Sequence, residues 1–127
     1  MRILKYNRQH EEALLSAISQ DSDWDMFTNS QAITHYKRRL LESISYVCVE
    51  DGNFYGFVRA LQDDNFAIYV SELFVAPEYR GRKIGKLLLQ HIQKNSANLT
   101  VYILSDEDGY YEKMGYKAVG SIYQMTE

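Results

Sequence analysis

The chain has 127 residues, 46% of them hydrophobic and 24% charged, and carries a net charge of −3 with a sequence pI near 5.6. That length suits a single domain, residues 1–127, with room for a substantial core. The acidic balance argues against general nucleic-acid binding, which needs a basic face. One cysteine excludes an intrachain disulfide, and no apolar run reaches the roughly 18–20 residues of a bilayer span.

In chain order, residues 2–6 read as a first strand. The N-terminus lacks the apolar stretch of a signal peptide, so the expected address is cytoplasmic, with no membrane partner. Glu11 to Ser19 predict a helix, with Leu14, Leu15, Ala17 and Ile18 on its apolar face. Gln20 to Ser30 read as a polar loop holding Asp21, Asp23, Trp24 and Asp25. Gln31 to Ser43 predict a second amphipathic helix, with Ile33, Tyr36 and Leu40 near helical spacing.

The pattern then changes to strands. Tyr46 to Val49, Phe54 to Leu61 and Phe66 to Val75 are β-prone runs separated by Asp51-Gly52-Asn53 and Asp63-Asp64-Asn65. Such short turns predict an antiparallel meander. Pro77 ends the third run, because proline cannot donate to a sheet ladder. Ile84, Leu87, Leu88, His91 and Ile92 mark the next helix, and Asn95 to Asn98 close it. Leu99 to Leu104 read as a buried strand, parallel to the 66–75 strand through a crossover. A short helix over 107–114 follows, with Asp106 as its cap and Gly115 as its end. Tyr116 to Met125 read as the last strand. The order β-α-α-β-β-β-α-β-α-β gives an α/β fold: a central mixed sheet with helices on both faces.

The chemistry concentrates between the 66–75 strand and the helix that starts at Ile84. The first N–H groups of a helix lack partners within it, and its dipole places partial positive charge there. Gly81 and Gly85 allow close approach to the backbone, and Arg80, Arg82, Lys83 and Lys86 surround it with charge. A phosphate or pyrophosphate is the natural occupant; an ordinary turn with a solvated basic rim is the plainer reading.

Leu73, Val75, Pro77, Glu78, Arg80 and Gly81, followed by Arg82, Lys83, Ile84 and Gly85, resemble the acyl-CoA-binding motif of the GNAT superfamily of N-acetyltransferases. Lys83 stands where that family has its middle glycine. A second stretch, Tyr110 to Tyr116, resembles the family's Phe-Tyr-Glu-Lys-x-Gly-Phe. The family order usually ends in two strands, and few residues follow Tyr116 here. The last strand is therefore bulged or its companion is missing, and a second copy of the chain could complete the sheet as a homodimer.

The resemblance implies an N-acetyltransferase that moves an acetyl group from acetyl-CoA to a primary amine, by direct transfer in a ternary complex. It places the pyrophosphate on the backbone from about Arg82 to Lys86, within a cofactor-binding set of Leu73, Phe74, Val75, Arg80, Gly81, Arg82, Lys83, Ile84, Gly85, Lys86, Ser105 and Tyr111. Leu73 and Val75 would meet the pantetheine arm and thioester through their backbone. Tyr111 falls at the family tyrosine whose hydroxyl commonly reaches the CoA sulfur; its phenol can protonate the leaving thiolate, and packing or ordering of the cofactor is its plainer role.

Glu72 is the first candidate for the base that takes the amine's proton; Ser105, Asp106 and Tyr69 follow. Asp23 and Trp24 in the 20–30 loop would receive a cationic acceptor, small molecule or peptide, since carboxylates pair an ammonium and an indole face attracts it. No metal is expected, because His10, His35 and His91 are scattered. A GNAT-like module that binds or senses acyl-CoA without catalysis is the alternative, and Tyr111 favours the enzyme. A nucleotide in the cradle is disfavoured, because neither a Gly-Lys-Ser/Thr loop nor a dinucleotide fingerprint is present.

Overall fold

The computed structural model describes residues 1–126. Its sheet has five strands in the order β1-β2-β3-β4-β5. They are β1 (Arg2–Lys5), β2 (Ile44–Glu50), β3 (Asn53–Asp63), β4 (Ala67–Val75) and β5 (Thr100–Ile103). The helices are α1 (Glu11–Ser19), α2 (Asp25–Thr28), α3 (Ile33–Glu42), α4 (Ile84–Lys94) and α5 (Asp108–Lys113). The expected polar loop after α1 thus contains a 3-10 turn at Ser22–Trp24 and the single helical turn α2.

The first four strands pair antiparallel, and β5 lies parallel to β4. Asp51 and Gly52 join β2 to β3 with φ of 51° and 79°. Two left-handed residues in a two-residue loop match the twist of the strands they connect.

Each face of the sheet carries its own core. Leu14, Leu15 and Ile18 of α1 and Tyr36 and Leu40 of α3 pack with Tyr6, Val47, Phe57, Phe74 and Ala76. On the other face Ile84, Leu88, Leu89 and Ile92 of α4 pack with Cys48, Val58, Ala60, Ile68 and Val70. The α4 stripe differs from its expected form in one place: Leu89 is buried and Leu87 is half-exposed. His91 lies at the stripe's margin, its ring 4.4 Å from that of Tyr46.

A bulge in β4 decides which side chains reach which face. Arg59 of β3 stands opposite Glu72, but the next residue, Ala60, stands opposite Val70. Ser71 is therefore an extra residue, and it inverts the strand's alternation. Ile68 and Val70 before it and Leu73 and Val75 after it all belong to the α4 core. Phe74 joins the opposite core, and Glu72 meets Tyr36 of α3 there.

Two expectations are corrected. Tyr116 to Met125 form no strand; after α5 the chain continues to residue 126 without regular structure. Met114 and Tyr116 pack on the α4 core, whereas Val119, Ile122, Tyr123 and Met125 are exposed. A β-prone segment needs a ladder partner, and the sheet ends at β5. Asp106 does not cap α5. The Ser105 hydroxyl does the work at that helix start: it accepts from the Glu107 N–H (3.2 Å) and donates to Asp108 Oδ1 (2.8 Å).

Candidate active site

The site begins where β4 and β5 separate. Their ladder covers Ala67 to Val70 against Thr100 to Ile103 and closes with Leu104 N–H donating to Val70 O at 3.0 Å. Beyond it, Ser71 to Val75 have no neighbour on that side among the described residues. Backbone groups of a strand point alternately to its two sides. Ala76 N–H donates back to Tyr55 O on β3 at 2.9 Å, so Val75 and Leu73 direct their backbone groups into the opening. Arg80 Nε donates to Val75 O there at 3.0 Å. Phe74 turns its backbone to β3 and its ring into the core.

The cradle follows at once. Pro77–Tyr79 make one 3-10 turn, Gly81 takes φ 84°, and α4 starts at Ile84. Among the described residues, none of the N–H groups of Gly81, Arg82, Lys83, Ile84, Gly85 and Lys86 has a backbone acceptor. No side chain caps the helix, and its first turn holds no acidic residue. Arg80, Arg82, Lys83 and Lys86 stand around these donors, with the Arg82 guanidinium 5.5 Å from the Tyr79 ring centroid. Donors, dipole and cations converge on one anion of phosphate type. The residues present therefore fit the pyrophosphate of a CoA thioester.

Lys83 reaches this geometry at a cost. Its φ of 63° and ψ of 23° lie in the left-handed region, where a side chain costs about 1–2 kcal/mol relative to glycine's freedom. Glycine gives back roughly 0.5–1 kcal/mol through the entropy of the unfolded chain. Lys83→Gly should therefore raise stability slightly, read as a higher urea midpoint at unchanged slope. A lower midpoint would mean that the Lys83 side chain makes a stabilising contact that outweighs its strain.

Of the tyrosines of the second motif, Tyr110 reaches this region, and Tyr111 lies in a cleft along β5. The Tyr110 hydroxyl sits at the start of α4. A β-carbon added at Gly85 would lie 2.0 Å from that oxygen and 3.5 Å from Leu73 Cδ2. Gly85 thus makes room for a protein side chain as well as for a ligand. A glycine in the first turn of an otherwise well-marked helix was the signal for that close approach. Tyr111 packs against the α4 core and, with Ser105, lines a cleft between α4, β5 and the segment after α5. Burial first, then the charges of Asp106, Tyr110 and Glu107, push its phenol well above the ordinary value. It holds its proton throughout the neutral range.

Glu72, the first candidate for a base, is fully engaged. Arg59 grips both carboxylate oxygens, Nε to Oε1 at 2.5 Å and Nη2 to Oε2 at 2.8 Å, and Tyr36 Oη donates to Oε1 at 2.8 Å. All three residues are buried. The expected receptors of the amine are also displaced. Trp24 is an anchor: its ring lies 5.4–5.8 Å from the rings of Phe74, Phe27 and Phe57. Asp23 is exposed on the neighbouring turn. The carboxylates that line a cleft beside the end of β4 are Asp21 and Glu78, together with Gln20, Phe54, Phe74 and Ala76; its volume is about 470 Å³.

A mixed sheet that opens between two parallel strands, with an anion cradle at the mouth, is the frame of an acyltransferase working from a phosphate-bearing carrier. The acetyltransferase (GNAT) domain family matches residues 42–118, a stretch holding the splayed strand, the cradle and the second motif. The chain is 28% identical over 127 residues to peptidyl-lysine N-acetyltransferase YjaB of Salmonella typhimurium, covering 92% of this chain and 84% of that one. Its fold resembles AAC(6')-Iy in complex with a bisubstrate analog, with a TM-score of 0.77 at 19% identity over 99% of this chain and 97% of that chain. It also resembles an aminoglycoside 6'-N-acetyltransferase complexed with coenzyme A, with a TM-score of 0.76 at 20% identity over 94% and 87% of the two chains. The chain belongs to the GNAT family and is an acetyl-CoA-dependent N-acetyltransferase.

Proposed function

We propose that this enzyme acetylates a primary alkylamine by direct transfer in a ternary complex, with lysine side chains of peptides or proteins as the acceptor class. The observation that carries the reading is the run of six N–H groups from Gly81 to Lys86 that have no backbone acceptor among the described residues, set at the mouth of the opening between β4 and β5. Those groups and the surrounding cations hold the pyrophosphate. The backbone of Leu73 and Val75 orients the arm that follows. Acetyl-CoA supplies the acetyl group as an activated thioester.

The Tyr111 hydroxyl keeps a proton available for the departing sulfur. Asp21 and Glu78 give the cleft beside Phe74 a charge that attracts an ammonium group. Cys48, the single cysteine, is buried in the α4 core, and burial raises its thiol above the usual range. That supports direct transfer over a thiol-bound intermediate. The peptidyl-lysine activity of the YjaB relative supports the acceptor class.

Thermal denaturation with acetyl-CoA, against ATP and NAD as controls, tests the cradle. Acetyl-CoA at about 100 times its dissociation constant should stabilise by roughly 2.7 kcal/mol, a shift of several degrees, and the controls should not match it. An equal shift with ATP would sink the assignment of the cradle to an acyl carrier. Mass spectrometry of lysine peptides incubated with enzyme and acetyl-CoA tests the acceptor. Turnover of aminoglycosides with no modified lysine would overturn that part.

A further inference from the structure

Glu72 is a buried carboxylate beside the reaction region, and its surroundings assign it another task than proton abstraction. The network around it is broad. Arg59 holds Glu72 with two hydrogen bonds and also donates to Ser43 Oγ (3.0 Å) and Ser71 Oγ (3.2 Å). Its guanidinium carbon lies 5.7 Å from the centroid of the Tyr36 ring, while Tyr36 Oη donates to Glu72. One cluster thus ties α3, the α3–β2 junction, β3 and both residues of the β4 bulge.

Its position gives it leverage. Ser71 is the extra residue of the bulge, Glu72 is the residue after it, and Leu73 is the first residue whose backbone faces the opening. The network therefore fixes the strand where it leaves β5. Both oxygens of this carboxylate are turned to Arg59, and one of them to Tyr36 as well, in charge-assisted hydrogen bonds. A buried pair of this kind is better evidence for a defined geometry than for added stability.

We propose that Tyr36, Arg59 and Glu72 are positioning residues: together they lock the β4 bulge and so aim the backbone of Leu73 and Val75 at the thioester, and Glu72 is not the base. This rests on the acetyl-transfer reading above.

The test compares Tyr36→Phe, Arg59→Lys and Glu72→Gln, measuring kcat, its pH profile, and acetyl-CoA affinity by melting. Positioning predicts that all three variants lower kcat by similar factors, roughly 3- to 30-fold, consistent with small misplacements of reacting groups. The pH profile keeps its shape, and acetyl-CoA binds more weakly in each variant. A base would behave otherwise: Glu72→Gln alone would lose about 10²- to 10⁴-fold and the acidic limb with it, with Tyr36→Phe and Arg59→Lys near wild type. That result, or wild-type kcat and affinity in Tyr36→Phe and Arg59→Lys, overturns the proposal. Should Glu72→Gln fail to fold, the other two variants still decide it. The affinity readout needs no acceptor, so a wrong acceptor class leaves it intact.

Discussion

Tyr111→Phe should lower kcat about a hundredfold, at the lower end of what a positioned general acid contributes, with acetyl-CoA affinity nearly unchanged. The ring packs against the α4 core in either case, so the substitution removes little beyond the proton donor. The loss should be constant from pH 6 to 9. Burial, with Asp106, Tyr110 and Glu107 adding to it, raises the phenol well above its ordinary value, so the wild-type phenol keeps its proton across that range. The sign carries over to stability. Both folded and unfolded chains hold this proton below about pH 10; above it the unfolded tyrosine ionises first, and the folded state loses stability as pH rises. Steady-state turnover followed by thiol release checks the first part. Full turnover in Tyr111→Phe would leave the ring a packing role only.

Gly56→Ala should damage both the fold and the reaction. Gly56 lies on β3 opposite Val75. A β-carbon there would come 2.4 Å from Phe74 O, 3.2 Å from Val75 Cα and 3.3 Å from Phe74 C. All three are backbone atoms and cannot swing aside, so β3 and β4 must part. Forcing a methyl into such a place costs about 1–3 kcal/mol, several degrees in melting temperature for a domain of this size. The part of β4 that moves is the part facing the opening, so kcat/KM should fall by more than the unfolded fraction explains. A melting curve and turnover at a temperature well below the transition separate the two effects. Wild-type stability would mean that the strands can separate there at no cost.

Features written within short windows were legible in the sequence. The Asp51-Gly52 hairpin, the antiparallel meander and the parallel return of β5 all follow from local periodicity and turn chemistry, and the structure has them, as it has the α4 stripe except that Leu89 takes the buried place of Leu87. The cradle was legible because glycines and cations crowd one helix start. Features set by distant partners were not. Residues 116–125 have strand composition, but a strand exists only where another accepts its ladder. Trp24 sits in an acidic loop and looks available, yet three rings from elsewhere hold it. Glu72 reads as a free carboxylate until Arg59, thirteen residues earlier, folds opposite it. Tyr110 and Tyr111 of the second motif are neighbours in sequence, and only the packing shows that Tyr110 is the one against the start of α4.

The extra residue in β4 has a consequence for how this fold can vary over generations. Ser71 contributes one 3.2 Å hydrogen bond through its hydroxyl, so its identity is a modest constraint. Its presence constrains the path of the strand. Deleting it would set Val70 opposite Ala60 and Glu72 opposite Arg59 in plain succession, so every side chain would keep its face and only the kink and added twist of the bulge would be lost. A single-codon loss would therefore spare both cores and fall on the direction β4 takes where it leaves β5. Lineages of this protein can therefore drift in side chain at position 71, whereas loss of the residue should tell on acetyl transfer before it tells on folding.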